Sequence, residues 1–166
     1  MKRILSFLCA VILVPLCACG VSEIVPLSKG IGVTAHISYY NESYNTDISI
    51  DSSGVFTMKI NEPDVLSGIS FVFSGDSVKA IYNGIEYIPN ENNTQFFGVA
   101  DKIYRVFKDI EGKTAREDDG IYVLEGKIGD DDYKITFGKT GLPLTLELDD
   151  NITVRFSDAK ILTAPR

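Results

Sequence analysis

The sequence predicts a mainly β protein of the α+β class. The expected fold is a curled antiparallel sheet of about nine or ten strands that forms a half-barrel or incomplete barrel around one amphipathic helix. Three observations predict it: apolar and polar residues alternate over most of the chain, turn-forming residues separate the alternating runs, and a single run has helical periodicity. A chain of 166 residues has the size of one domain.

The strands are predicted from runs in which every second residue is apolar. Turn sequences such as Ser74-Gly75-Asp76 and Asn83-Gly84 lie between them and suit short hairpin connections. Because only every second residue of each run is apolar, one face of the sheet is expected to be buried. The runs cover residues 33–40, 47–51, 56–60, 69–74, 77–82, 121–123, 133–137, 144–148 and 152–156.

The helix is predicted at about residues 95–111. Residues 92–94 offer an N-cap, and Gly112 offers a C-terminal stop. Charged residues occupy the side opposite the apolar stripe, which is typical of a helix lying on a sheet. The apolar stripe consists of Phe96, Val99, Ala100, Ile103, Val106, Phe107 and Ile110.

The areas of the two elements predict that the sheet curls. Ten strands at a spacing of about 4.8 Å make a sheet nearly ~50 Å wide, whereas a helix with its side chains is about 10–12 Å wide. One helix cannot cover such a sheet if the sheet is flat. Whether the space between helix and sheet is packed or open is not decided by this arithmetic.

The first twenty residues have the pattern of an export signal. Lys2 and Arg3 precede an apolar run from Ile4 to Ala18, which is short for a transmembrane helix and contains Pro15. The run ends in Leu16-Cys17-Ala18-Cys19, which resembles the lipobox of bacterial lipoproteins. That resemblance implies cleavage after residue 18, acylation of Cys19, and a protein anchored by lipid to the extracytoplasmic face of the cell membrane.

The same resemblance divides the chain into three parts. Residues 1–18 are the expected lipoprotein signal peptide, residues 19–30 a lipidated N-terminus and short tether, and residues 31–162 a single β domain. Loss of Lys2 and Arg3 changes the net charge from -7 to -9. This acidity argues against nucleic acid as a partner, and we expect a monomer.

The order of the elements is similar to that of the LolA-like fold of lipoprotein carriers. The residues that carry this resemblance are Pro63, Leu66 and Gly68 before a strand, Tyr82-Asn83-Gly84-Ile85, and Gly141-Leu142-Pro143 before a late apolar strand. The resemblance covers residues 54–157. It implies an incomplete barrel that binds acyl chains on its concave side, and it transfers no catalytic residues.

The residues do not predict an enzyme, a cofactor or a metal site. The chain has one histidine, His36, in the polar register of a strand, and no cysteine after Cys19. Residues 117–119 and 130–132 are acidic, but they lack the spacing of a calcium loop and occupy hairpin positions. We therefore expect a non-enzymatic protein.

Two hypotheses for its function remain open from the sequence. In the first, the concave face binds an acyl chain or another hydrophobic ligand. In the second, the interior is fully packed, and the protein is a scaffold or surface module that binds another cell-envelope protein. The residues expected to line the pocket in the first case are Phe56, Met58, Phe71, Phe73, Tyr82 and Phe107.

Replacing Cys19 with alanine tests the lipid anchor. Because the acyl chains would attach to the Cys19 thiol, Cys19→Ala is expected to release the protein from the membrane or to leave an unprocessed precursor. Cell fractionation followed by mass measurement of the N-terminus distinguishes these products. Normal processing with an unchanged membrane fraction would refute the lipobox interpretation.

Overall fold

A computed structural model describes the backbone of residues 21–23 and then residues 30–89, 95–149 and 151–162. The predicted signal peptide, Cys19 and the predicted N-cap at residues 92–94 lie outside these residues. The described elements are β1 (Val21–Glu23), β2 (Ile31–Tyr39), β3 (Glu42–Ile50), β4 (Phe56–Glu62), a 3-10 helix (Asp64–Leu66), β5 (Ser70–Ser74), β6 (Ser77–Tyr82), β7 (Ile85–Tyr87), α1 (Gln95–Ile110), β8 (Thr114–Asp118), β9 (Ile121–Ile128), β10 (Asp131–Phe137), β11 (Pro143–Leu148) and β12 (Ile152–Ile161).

The strands of the described residues form one open antiparallel sheet. Their order is β1-β8-β9-β10-β11-β12-β2-β3-β4-β5-β6-β7, so β1 and β7 are the two edges. The mainly β class is as predicted, and so is the single α-helix within the described part of the chain. The predicted nine or ten strands are too few, because β1, β7 and β8 were missed. All three lie at or next to an edge, where less apolar surface is buried and the alternation is weak.

The segment after Cys19 differs from a free tether. The structure pairs β1 with β8, with Val21 opposite Arg116 and Glu23 opposite Thr114. Main-chain hydrogen bonds to an exposed edge need no apolar side chains, so this strand leaves no signature in the sequence. The sheet therefore begins two residues after Cys19.

Helix α1 lies on the concave side of the sheet. All seven residues of the predicted apolar stripe are buried. The helix contacts β9 and β5, each of which is the third strand from an edge. Seven strand spacings separate these two strands, about 33 Å in a flat sheet, which is far wider than a helix. The sheet must therefore curl around α1.

The buried residues of the strands lie on the face of the sheet that packs against the helix. In β2 and β3 the pairs Val33 with Ile48 and Ile37 with Tyr44 face the core, while the intervening pair His36 with Asn45 faces solvent. The same alternation continues through β4, β5, β10 and the first half of β12. It is interrupted in β11, where a register shift against β10 leaves Leu144 41% exposed, although its alternation with Leu146 and Leu148 predicted burial. This one-sided burial is as the period-two pattern predicts.

Gly126 in β9 has a packing role that no sequence pattern predicted. It lies opposite Tyr133 of β10, and a Cβ placed on Gly126 would come 2.5 Å from the Tyr133 hydroxyl oxygen and 2.6 Å from Cζ. The aromatic ring therefore lies directly over the glycine. Only the missing side chain at Gly126 allows Tyr133 to reach across the sheet.

We expect Gly126→Ala to destabilise the fold by about 1–3 kcal/mol, because the added methyl group displaces the buried Tyr133 ring. Gly98 in α1 provides the opposite case, since a Cβ there meets no other atom within 4 Å. Gly98→Ala should stabilise the protein by about 0.5–1 kcal/mol. Chemical denaturation measures both, and an equal effect of the two changes would contradict this packing.

Candidate functional site

The candidate site is built on the concave face where β4, β5, β6 and β7 adjoin. Register places Met58, Phe71, Ala80 and Tyr87 in one row across these four strands. A second row pairs Phe56 with Phe73, and a third pairs Tyr82 with Ile85. Because paired residues in a sheet project from the same face, all these side chains belong to the concave face.

Helix α1 fills the centre of this face with aromatic contacts. The ring of Phe107 lies 5.9 Å from Phe56 and 5.9 Å from Phe156 of β12, measured between ring centroids. Tyr104 stacks on Phe73 at 4.7 Å. These separations are typical of favourable aromatic pairs. The space under the helix is therefore occupied by packed side chains.

The structure brings together five of the six predicted lining residues. Phe56, Met58, Phe71, Phe73 and Phe107 are all buried in this cluster. Tyr82 shares the concave face, but its side chain is 46% exposed because α1 does not reach it. Alternation in the sequence predicted the correct face for Tyr82, and it carried no information on how far the helix would extend.

Two openings give access to the apolar cluster beside α1. The first has a volume of 280 Å³ and lies between α1 and the turn from β3 to β4, with Phe56 and Phe107 in its lining. The second has a volume of 360 Å³ and lies between α1 and the hairpin of β5 and β6, with Phe73 and Val78 in its lining. The Tyr104 hydroxyl donates to the Gly75 carbonyl oxygen at 2.9 Å and separates them.

The turn that borders the first opening is fixed by Asp51. Its carboxylate accepts hydrogen bonds from the backbone N–H of Ser53 at 2.8 Å and of Val55 at 3.1 Å. Together with the Ser53 hydroxyl, which contributes most, these donors hold the pKa of Asp51 below its usual value. Such a side-chain-bonded turn holds the rim in a defined shape.

Lys108 lies at the rim of both openings. Its nearest carboxylate is that of Asp76 at 4.0 Å, and both side chains are largely exposed. Arg105, one turn earlier, is closely paired with Asp101 at 2.8 Å. Lys108 therefore offers a positive charge between the two openings that is only weakly compensated.

Polar contacts hold the other side of α1 to the sheet. The Tyr133 hydroxyl and the Lys113 ammonium both donate to Asp109, the latter at 2.6 Å. These bonds, that of Lys113 first, keep the pKa of the Asp109 carboxyl below its usual value, while burial and the Asp109 bond raise the pKa of Tyr133. Lys102 forms a further ion pair with Asp131 of β10 at 2.6 Å.

The outer face of the sheet is polar. His36 is exposed, as predicted, and its Nδ1 is 2.8 Å from Asn45 Oδ1, while the Asn45 amide donates to Glu62. Over β9 to β11 lies a polar groove of 690 Å³, lined mainly by charged side chains such as Lys127, which is paired with Asp132. None of these groups borders the apolar openings.

Within residues 30–89, 95–149 and 151–162, no group of three or more His, Cys, Asp or Glu side chains is arranged to hold a metal ion. In the same part of the chain, no helix has the length and apolar character needed to cross a membrane. The acidic runs at 117–119 and 130–132 lie at the hairpins before β9 and β10.

Three functional features were missed from the sequence: Tyr104, Lys108 and Gly75. Lys108 lies outside the apolar stripe of α1, so periodicity assigned it to the polar side, and Tyr104 was assigned to neither side. Their importance comes from the hairpin of β5 and β6, which curls against the helix and places Gly75 beside Tyr104. The contact joins two segments that are 29 residues apart in the sequence, so local periodicity could not predict it.

Solved structures from two bacteria align with the chain, and one of them, with a TM-score of 0.50, is similar to it in fold. An uncharacterised conserved protein from Thermus thermophilus aligns with a TM-score of 0.50 and 12% sequence identity, covering 84% of this chain and 82% of that one. A LolA superfamily protein from Nitrosomonas europaea aligns with a TM-score of 0.40 and 10% identity, covering 82% and 86%. No protein-family model and no curated protein matches the chain. The similarity to the Thermus protein concerns the fold alone.

The Asp109 contacts predict a pH-dependent contribution to stability. A carboxyl whose pKa is lowered by folding stabilises the protein above its unfolded pKa of about 3.9, and this contribution is lost as the pH falls through the lower folded value. Asp109→Asn should therefore be less stable than the wild type at pH ~7, by about 1–2 kcal/mol, and approach it near pH ~3. Urea unfolding at both pH values measures this difference. A difference independent of pH would contradict it, and Tyr133→Phe should retain part of the dependence.

Proposed function

We propose that the chain is a non-enzymatic lipoprotein of LolA-like fold, anchored by lipid to the extracytoplasmic face of the cell membrane, that binds an acyl chain or another hydrophobic ligand on its concave face. The observation that carries this proposal is the apolar cluster under α1, which is accessible through two openings. Hydrophobic ligands bind to concave apolar surfaces with a few polar groups at the rim.

The proposed anchor is supported by the sequence. Lys2 and Arg3, the apolar run and the Leu16-Cys17-Ala18-Cys19 pattern together are typical of lipoprotein signals. Two or three acyl chains on Cys19 would provide stable membrane attachment, whereas one chain binds only reversibly. The ligand site and the anchor are independent of each other, and each has its own test.

The geometry of the openings limits how a ligand binds. The usual range for small-molecule sites is about 300–1,000 Å³. The first opening, of 280 Å³, lies just below this range, and the second, of 360 Å³, lies at its lower end. A ligand of this kind enters beside α1 with its apolar part against Phe56, Phe107 or Phe73. Lys108 is then positioned to contact a carboxylate or phosphate at the polar end.

The placement of His36 supports a binding rather than a catalytic role. It is the only histidine of the chain, and it lies on the outer face in a hydrogen bond with Asn45. The polar residues at the openings include the charged side chains of Lys108 on α1 and of Glu111 directly after the helix. They are suited to contact the head of an amphiphile.

A second candidate function is a surface module that binds another cell-envelope protein. The observation that favours it is the dense packing under α1, where Met58 and Phe71 are buried and border neither opening. In this case the sheet acts as a scaffold and the ligand is a protein. Mass spectrometry of lipids that co-purify with the protein separates the two functions.

Filling both openings with one substitution tests ligand binding. Because Lys108 lines both openings, Lys108→Trp is expected to weaken binding of a pyrene-labelled fatty acid by about tenfold, equivalent to ~1.4 kcal/mol. Lys102→Trp is the matched control, since Lys102 is also a cation of α1 that forms an ion pair but lines neither opening. Fluorescence titration of the purified full chain gives the affinities.

Two outcomes would contradict the proposed ligand site. Equal weakening by Lys108→Trp and Lys102→Trp would mean that the labelled fatty acid binds elsewhere. No binding by the wild type, together with no co-purifying lipid, would favour the surface module. Recovery of a specific envelope protein after crosslinking in cells would then support that second function.

A further inference from the structure

The concave face of the sheet extends beyond the helix at the β7 edge. Tyr82, Ile85 and Tyr87 continue the rows of buried side chains, and Ile88 follows directly after β7. We name these four residues the apolar edge patch. Ile85 is 69% exposed and Ile88 is 81% exposed. An apolar surface at the edge of a sheet marks a site of interaction when nothing covers it.

The composition of the patch fits the boundary region of a lipid bilayer. Tyrosine combines an apolar ring with a hydroxyl group that remains hydrated, and it is enriched where membranes meet water. The charges nearest to the patch on the same strands, Lys79 and Glu86, are paired with each other at 2.8 Å. The strands of the patch therefore bring no uncompensated charge to the lipid surface.

The position of the lipid attachment argues for the bilayer as the occupant. Cys19 precedes β1 by two residues, so the chain between the acylated residue and the sheet spans at most about 7 Å. The β1 edge is then held at the level of the lipid head groups. A domain held this closely stays at the surface, so an exposed apolar patch on the side that faces the bilayer lies within reach of the lipid.

The two edges border the same side of the molecule. Helix α1 contacts β9 and β5, which are third from the β1 edge and third from the β7 edge. The open side of the curled sheet, covered by α1, therefore lies between the two edges. If one edge is anchored and the other carries an apolar patch, the open side is the side that faces the membrane.

We propose that the apolar edge patch docks into the interfacial region of the bilayer that holds the acylated Cys19, with the open side of the sheet toward the membrane. This orientation rests on the lipid anchor of the proposed function. Apolar side chains of peripheral proteins enter about 5–10 Å into the boundary between head groups and acyl chains.

The absence of tryptophan from the chain provides a sharp test. The mature lipidated protein carrying Ile85→Trp is reconstituted into phosphatidylcholine vesicles with and without brominated acyl chains, which quench tryptophan on contact. The control is Tyr40→Trp in the hairpin between β2 and β3, where the native side chain is 65% exposed. Quenching of Ile85→Trp should be at least about twofold stronger than that of Tyr40→Trp.

The remaining outcomes would overturn the proposal, and each has a separate meaning. Flotation with vesicles but equal quenching of Ile85→Trp and Tyr40→Trp would leave the anchor intact and refute the docking. Failure to float would refute the anchor and the orientation together. Protection of Ile85→Trp from aqueous iodide without quenching by brominated lipid would assign the patch to a second copy or another protein. High exposure of both native side chains makes misfolding of either variant unexpected.

Discussion

The fold depends on one constraint: a single amphipathic helix must cover the apolar face of a sheet several times its own width. The sheet meets this constraint by curling until β5 and β9 both contact α1. Packing of Phe107 against Phe56 and Phe156 joins strands that are distant in the order of the sheet. The two openings and the β7 edge lie where α1 no longer covers the sheet, and they define the candidate site.

Polar contacts on both sides of α1 determine where those openings lie. On one side the Tyr104 hydroxyl bonds to the main chain of the hairpin between β5 and β6, and on the other Asp109 accepts from Tyr133. Directional bonds of this kind fix the rotation of a helix more narrowly than apolar packing alone, which tolerates small shifts. The same contacts separate the apolar interior into a packed centre and an accessible rim.

Sequence periodicity predicted the parts of this architecture in which burial is one-sided. The apolar stripe of α1 was predicted fully, and the helix spans Gln95–Ile110 against an expected 95–111. The strands β7 and β8 were missed because their side chains are mostly exposed, and β1 was missed because it is a three-residue strand held at the edge by main-chain pairing. The role of Lys108 and the exposure of Tyr82 depend on how far the helix extends over the curled sheet. Local sequence patterns carry no information on that extent.

The central claim is that a hydrophobic ligand enters beside α1 against the concave face. Titration of the isotopically labelled full chain with dodecanoate, followed by methyl NMR, tests it most directly. Ile50 and Val78 line the first and second openings, whereas Val123 lines neither. Binding beside α1 should produce saturable shifts of the Ile50 or Val78 methyl resonances and leave that of Val123 unchanged. Shifts confined to Val123, or no saturable shift at any of the three, would contradict it.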